Sequence, residues 1–164
     1  MQSPWDGRDK PGHDEPLLSV AVMSFALDPR LAADTLEVGD LALSRVLLMN
    51  DSRYPWLILV PRGENLREIA DLDIGARAAL IEEIAAASRF VQSLPGVDKI
   101  NVGALGNIVR QLHVHVVART VGDAAWPGPV WGFGKPERYD ESSARALVEQ
   151  LRSALAINPG AAGS

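Results

Sequence analysis

The run QLHVHVVAR at residues 111–119 is the sequence feature that most restricts the fold, because polar or ring-bearing side chains alternate in it with small apolar ones. Successive side chains of a β-strand point to opposite faces, so Gln111, His113 and His115 would share one face. The apolar residues between them would share the other face and cover a core. We therefore predict a strand over residues 108–118 that carries two histidines side by side.

The segments around this run predict further strands and two helices. Turn-forming residues separate apolar stretches at 41–49 and 56–60, which is typical of a β-hairpin. Apolar residues at three- and four-residue steps predict a long helix over 74–93, and residues 141–156 predict a second helix. Residues 98–106 have the pattern of a strand that enters a glycine-bearing turn. Consecutive strands with helices beside them indicate an α+β fold with a mostly antiparallel sheet.

The chain has 164 residues, which is the length of one domain. Its N-terminal residues are polar and rich in Pro, Gly and Asp, so we predict a flexible extension over residues 1–22. A single domain then spans residues 23–157, and a frayed tail follows at 158–164. Within the domain, residues 27–35 predict a turn or a short helix, and Gly39 predicts a turn before the first strand.

Composition and charge exclude several classes of protein. A formal net charge of −5 argues against a broad basic face for nucleic acid. The chain has no cysteine, so it forms neither disulfides nor thiolate metal sites, and a reducing compartment is expected. The apolar segment 17–27 is shorter than the roughly 18–20 residues that a membrane span needs. We expect a cytoplasmic protein that binds neither nucleic acid nor a membrane.

A glycine-bearing turn directly precedes the histidine run. Gly103 and Gly106 permit unusual backbone angles, so this turn can bring backbone N–H groups close to a ligand. Imidazoles that face such N–H donors suit an anionic ligand, and a neutral imidazole can also act as a nucleophile toward phosphorus. The turn and the two histidines together therefore indicate a phosphate-handling site.

The stretch from Asn101 to Arg119 resembles the signature of the histidine triad (HIT) superfamily. That signature is His-φ-His-φ-His-φ-φ, where φ is apolar, after a glycine-containing turn. The resemblance covers roughly residues 38–120, since it includes the hairpin that ends in LILVPR and the long helix. It implies a HIT-like α+β fold with about five mainly antiparallel strands, one long helix across the sheet and a C-terminal helix.

The resemblance also implies an activity and roles for individual residues. Members hydrolyse or transfer nucleotides by forming a nucleotidyl-histidine at the α-phosphate, which water then hydrolyses. By motif position His113 is the nucleophile, and His115 lies near the scissile phosphate. Asn107 stands where many members have a glutamine that contacts phosphate oxygens. Asn50 and Asp51 fall in the region that holds the ribose hydroxyls.

Further expectations about ligand and assembly follow from the same resemblance. Asn101 lies in the matching stretch, and we expect it beside the substrate together with Gly106 and the N–H groups that follow. The substrate implied is an adenine nucleotide, such as a dinucleoside polyphosphate or a phosphoramidate. No cofactor or metal is expected, because imidazoles and N–H groups supply the electrophilic help. Many members are homodimers, so we expect a homodimer here as well.

Two positions depart from the family pattern. Gln111 stands where the first histidine of the motif should be, and Trp56 stands where many relatives have a further histidine. Glutamine can exchange hydrogen bonds in the site but cannot titrate near neutral pH. Two alternatives to the enzyme therefore stay open. One is a protein that binds or senses a nucleotide without turnover, and the other is a metal site on the His-x-His pair.

Several side chains near the histidine run have two interpretations. Trp126 and Trp131 lie in a proline-rich loop, where they either pack in the core or close on the site and stack on a base. Arg119 would face the same side as His113, and we predict that it is a solvated surface arginine. The two glutamates at residues 82–83 are predicted to lie on the solvent-exposed face of the long helix.

Overall fold

The computed structural model describes residues 25–158, so the predictions for residues 1–22 and 159–164 lie outside the described residues. The described chain contains a five-stranded sheet and three α-helices. In chain order, the elements are α1 (Pro29–Asp34), β1 (Thr35–Asp40), β2 (Ser44–Met49), β3 (Trp56–Pro61), a 3-10 turn (Ile69–Asp71), α2 (Ile74–Gln92), β4 (Lys99–Gly103), β5 (Val114–Arg119) and α3 (Glu141–Ala154).

The sheet has the order β1-β2-β3-β5-β4, and every neighbouring pair of strands is antiparallel. This arrangement confirms the predicted α+β fold with a long helix and a C-terminal helix. β5, which carries the end of the histidine run, is an inner strand, and β4 lies at one edge. His115 pairs with Ile58 of β3 on one side and with Gly103 of β4 on the other.

Apolar side chains cover both faces of the sheet. On one face, Val116 and Ala118 of β5 pack with Ala87 and Val91 of α2 and with Leu151 of α3. On the opposite face, aromatic and aliphatic residues form a second buried cluster with the loop after β5, and its members include Tyr54, Trp56, Ile58, Val117 and Val130. The histidine side of β5 is therefore covered by the loop after β5 and by Leu31 of the short helix α1, and not by α2 or α3. No helix in the described part of the chain is long and apolar enough to cross a membrane.

The prediction of a turn at Gly39 was wrong, because Gly39 lies within strand β1. The register between β1 and β2 shifts between Glu37 and Gly39, so a bulge breaks the alternation that would have marked a strand. Gly39 has φ +145°, and a methyl group there would collide with Ile157, which follows α3. The position thus combines an unusual backbone angle with a close approach of the C-terminal segment.

The predicted strand boundaries at 41–49, 98–106 and 108–118 were partly wrong, because the paired segments are shorter. β5 begins only at Val114, and the preceding residues lie in an irregular segment. The N–H of Leu112 donates to the carbonyl of Leu66 at 2.9 Å, so that segment bonds to a loop and not to a strand. Apolar alternation alone does not reveal where a strand loses its partner.

Glu83 corrects the prediction that the pair at residues 82–83 forms a wet helix face. Its side chain is buried between α2 and the start of β2. Glu83 Oε1 accepts hydrogen bonds from the N–H groups of Leu43 at 2.7 Å and Ser44 at 3.4 Å. The carboxylate therefore satisfies backbone donors at the point where the chain enters the sheet.

Replacing Glu83 with alanine is expected to lower the free energy of unfolding by about 1–3 kcal/mol, because buried N–H donors lose their acceptor. Urea unfolding of the variant measures the loss. Glu82→Ala is the matched control, because Glu82 is an exposed neighbour on the same helix. Equal stabilities of the two variants would show that the Glu83 contacts do not stabilise the fold.

Candidate active site

His113 and His115 lie side by side at the start of β5, as the sequence predicted. Their ring centroids are 4.9 Å apart at an interplanar angle of 69°, and both side chains are buried. The pairing of His115 with Gly103 also brings the end of β4 next to this pair. The structure thus unites the two histidines with the glycine that precedes the turn.

The position of the His113 proton follows from its hydrogen bond. Nδ1 lies 2.6 Å from the main-chain carbonyl oxygen of Gln111, and a carbonyl oxygen can only accept. Nδ1 therefore carries the proton in the neutral ring, and Nε2 keeps an unshared electron pair. This tautomer is the one that a nucleophilic histidine requires.

His115 is held in the opposite tautomer. Trp56 Nε1–H donates to His115 Nδ1 at 2.9 Å, so the proton of the neutral ring lies on Nε2. Burial lowers the pKa of His115 to about 3, and the nearby His113 adds to this effect. At neutral pH His115 is therefore uncharged, and its Nε2–H is a hydrogen-bond donor.

An aromatic wall surrounds His115 on the side of the loop. The Trp131 ring lies 5.5 Å from the His115 ring, and Trp56 lies 5.6 Å from it. Trp131 reaches this position because Gly103 has no side chain, since a Cβ there would lie 3.2 Å from the indole. Of the two tryptophans predicted in the loop, Trp131 is thus the one beside the histidines.

Arg119 contradicts the prediction of a solvated arginine, because only 2% of its side chain is exposed. Its guanidinium donates to both carboxylate oxygens of Asp123 at 2.8 and 2.9 Å and to Asn101 Oδ1 at 2.8 Å. It also lies over the rings of Tyr54 and Trp126. Its hydrogen bonds are the main cause that lowers the pKa of Asp123. Two predicted substrate contacts, Asn101 and Trp126, therefore hold this buried ion pair.

A cavity of about 450 Å³ opens beside Trp56. It is lined by residues of β2, the following turn, the start of β3 and the loop after β5, among them Met49, Asn50, Asp51, Arg53, Trp56, Val130, Phe133 and Arg138. The two residues predicted to meet the ribose, Asn50 and Asp51, therefore lie in its wall. The cavity is open enough for solvent and combines apolar side chains with arginines.

Asn50 and Asp51 also hold the far end of the loop. Asn50 Oδ1 accepts from the N–H of Tyr139 at 3.0 Å, and Asp51 Oδ1 accepts from the N–H of Glu137 at 3.3 Å. Burial pushes the pKa of Asp51 upward, but hydrogen bonds from Arg53 and from the backbone outweigh it and leave the pKa low. These two side chains thus fix the cavity wall.

The turn before the histidines keeps the glycine geometry that the sequence indicated. Gly106 has φ +70°, a left-handed conformation that favours glycine. Asn107 follows it and is exposed at the surface of the turn. Within residues 25–158, no group of three or more His, Asp, Glu or Cys side chains is placed to hold a metal ion.

Gln111 corrects the prediction that it shares a strand face with the histidines, since it precedes β5. Its side chain instead binds the N-terminal segment at two points. Oε1 accepts from the N–H of Asp28 at 2.8 Å, and Nε2 donates to the carbonyl of Ala26 at 2.9 Å. The side chain of Gln111 thus binds residues 26–28, and its main-chain carbonyl orients the His113 ring.

Gln111→Ala is expected to speed amide hydrogen exchange at Asp28 about fivefold or more, because a net hydrogen bond is worth about 1 kcal/mol. Hydrogen exchange read by mass spectrometry tests this. Gln150→Ala on the exposed face of α3 serves as the control. Unchanged exchange at residues 26–28 would show that Gln111 does not hold the segment.

In the sequence, Trp56 stands out only as a departure from the family pattern, and no local pattern indicates a role for Tyr54 or Asp123. A tryptophan in place of a histidine was the available signal, because an indole N–H needs an acceptor when buried. Which acceptor it reaches depends on the pairing of β3 with β5, and no local pattern reveals that pairing.

Comparisons with known proteins agree with this geometry. The model of the HIT domain family matches residues 30–122. A histidine triad protein from Marinobacter aquaeolei is 47% identical, with a TM-score of 0.78 over 80% of this chain and 96% of that one. Histidine triad proteins from Bradyrhizobium japonicum and Sinorhizobium meliloti are each 46% identical, with TM-scores of 0.77 over 80% of this chain. They are covered over 98% and 97% of their lengths, respectively.

A comparison with functionally curated proteins finds no match. The family model nevertheless spans more than half of the chain, and the paired histidines lie within it. The chain therefore belongs to the HIT domain family.

Proposed function

We propose that this protein is a HIT-type nucleotide hydrolase or nucleotidyl transferase that attacks the α-phosphate through His113. The observation that carries the proposal is the hydrogen bond from His113 Nδ1 to the Gln111 carbonyl, which leaves Nε2 unprotonated. A second, neutral histidine lies at ring contact and has its proton on Nε2. One nitrogen can thus attack phosphorus while its neighbour donates a hydrogen bond to a phosphoryl oxygen.

The proposed reaction has two displacements at the same phosphorus. In the first, His113 Nε2 forms a bond to the α-phosphorus, and the bond to the leaving group breaks with its electron pair. In the second, water forms a bond to phosphorus and loses a proton to solvent, the bond from phosphorus to Nε2 breaks with its electron pair returning to Nε2, and a nucleoside monophosphate is released. His115 Nε2–H and the N–H groups after Gly106 stabilise the charge on the phosphoryl oxygens. Asn107 is a further candidate donor at this position.

The substrate that we propose is an adenine nucleotide, such as a dinucleoside polyphosphate or a phosphoramidate. The cavity beside Trp56 has room for a nucleoside, with Met49, Val130 and Phe133 as apolar walls.

The test is AMP release by EDTA-treated protein from diadenosine tetraphosphate and from adenosine phosphoramidate. The proposal expects release from at least one substrate without added metal. AMP binding with no release from either substrate would contradict the enzyme and favour a nucleotide-binding protein. Release that is lost with EDTA and restored by a divalent metal would favour a metal site on the histidine pair.

We also propose that the protein is a homodimer. Large apolar side chains lie exposed on α2 and beside the edge strand β4, namely Ile74, Ile81, Val102, Leu105 and Ile108. An edge strand with exposed apolar neighbours is a surface that a second copy can cover. Sedimentation equilibrium should give twice the chain mass, and a monomer at micromolar concentration would contradict the dimer.

A further inference from the structure

The contact between Trp56 and His115 excludes one protonation state of the site. An indole nitrogen can only donate, so His115 Nδ1 must accept the hydrogen bond at 2.9 Å. A charged imidazolium carries protons on both nitrogens and would face the indole N–H with a second N–H. Both side chains are at least nine-tenths buried, so neither group turns to water without opening the site. The contact therefore keeps His115 neutral.

Apart from His113, which is the proposed nucleophile, the groups in contact with His115 supply no acid. β3 contributes Trp56, β4 contributes Gly103 and the loop contributes Trp131, none of which titrates near neutral pH. His113 is the titratable neighbour, and its Nδ1 proton is held by the Gln111 carbonyl. The Gln111 amide points to residues 26 and 28. The low pKa of His115, caused by burial and by His113, agrees with this arrangement.

The chemistry of the leaving group then decides which substrates react. When an anhydride bond from phosphorus to oxygen breaks, the electron pair stays on a phosphate oxygen, which is stable as an anion. When a bond from phosphorus to nitrogen breaks, the pair stays on nitrogen, and the amine must take up a proton as it leaves. A site without an acid therefore releases the first group faster than the second.

We infer that this site is specific for phosphoric anhydrides of nucleosides and discriminates against phosphoramidates, with Trp56 as the positioning residue that sets this preference. The inference rests on the proposed function, since it assumes attack by His113 on the α-phosphorus. It narrows the two proposed substrate classes to the one with an anionic leaving group. A fixed neutral His115 then serves as a hydrogen-bond donor and not as a proton donor.

The test compares kcat/KM for diadenosine tetraphosphate and adenosine phosphoramidate. The wild type is expected to prefer the anhydride by about 100-fold or more, because general acid catalysis is typically worth about 10²–10⁴-fold. Trp56→Phe removes the indole donor and is expected to narrow this ratio by about tenfold or more. Trp126→Phe is the matched control, because it removes an indole of the same loop that contacts Arg119 and not His115.

The outcomes separate this inference from the proposed function. Equal kcat/KM values for the two substrates in the wild type would overturn the inference and leave the function intact. Release from neither substrate would instead overturn the function. If the Trp56→Phe variant does not fold, the inference is tested by nitrogen NMR of His115 in the wild type, which reports the protonation state of the ring. A neutral ring with its proton on Nε2 from about pH 5 to pH 8 is expected, and a titration within this range would overturn the inference.

Discussion

Replacing His113 with alanine is expected to lower kcat/KM for AMP release by roughly 10⁴-fold or more, because the variant has no nucleophile for the first displacement. Steady-state kinetics with diadenosine tetraphosphate measures the loss. Binding of AMP should be weakened far less, since the cavity beside Trp56 is not altered. The separation of binding from turnover is what distinguishes a nucleophile from a residue that only shapes the site.

His115→Ala is the comparison variant for this experiment. Alanine removes the Nε2–H donor and leaves the His113 nucleophile in place, so the expected loss is about 10²–10³-fold, as for the removal of one donor to a developing charge. Thermal unfolding of both variants controls for folding, because both histidines are buried. A His113→Ala variant that is folded and retains turnover within tenfold of the wild type would contradict nucleophilic attack by His113.

Arg119→Met is expected to give the largest loss of stability, about 3–5 kcal/mol, because it leaves a buried carboxylate without its partner. The exposed pair of Arg145 and Glu141 provides a matched control with the same four-residue spacing. Arg145→Met should change the free energy of unfolding by less than about 1 kcal/mol. Urea unfolding measures both variants, and similar losses would show that burial of the Arg119 pair is not what stabilises it.

The same ion pair predicts how stability depends on pH. In the folded protein the pKa of Asp123 is lowered, chiefly by hydrogen bonds from Arg119. A carboxyl group with a lowered folded pKa stabilises the fold above its unfolded pKa, and this contribution is lost as the pH falls through the folded value. The wild type should therefore lose stability below about pH 4, and Arg119→Met should lose less over the same range.

The sequence predicted most of the sheet because its buried strands are continuous apolar runs. β3 and α2 were located within one or two residues of their observed bounds. β1 was missed because its bulge between Glu37 and Gly39 interrupts the alternation. The start of β5 was placed too early because alternation continues through Leu112, whose N–H bonds to a loop. Local patterns report which side of a strand is apolar but not which partner the backbone finds.

Local sequence patterns predict the site only in part, as they do the fold. His113 lies directly before β5 and His115 lies in it, and the alternation in the sequence runs across this junction, so the sequence could predict that the two rings lie together. Neither the contact of Gln111 with residues 26–28 nor that of Trp56 with His115 is local, since each joins positions that are far apart in the chain. The burial of Arg119 likewise depends on a loop that folds back over β5. Side-chain roles that depend on distant partners require the tertiary structure.

The central claim, a covalent nucleotidyl-His113 intermediate, is tested most directly by the stereochemistry at phosphorus. A dinucleoside polyphosphate with a chiral α-phosphorothioate is hydrolysed in water enriched in oxygen-18, and the configuration of the released monophosphate is determined. Two successive in-line displacements retain the configuration, and this is the predicted result. Inversion would show that water attacks the α-phosphorus directly, and it would contradict the account.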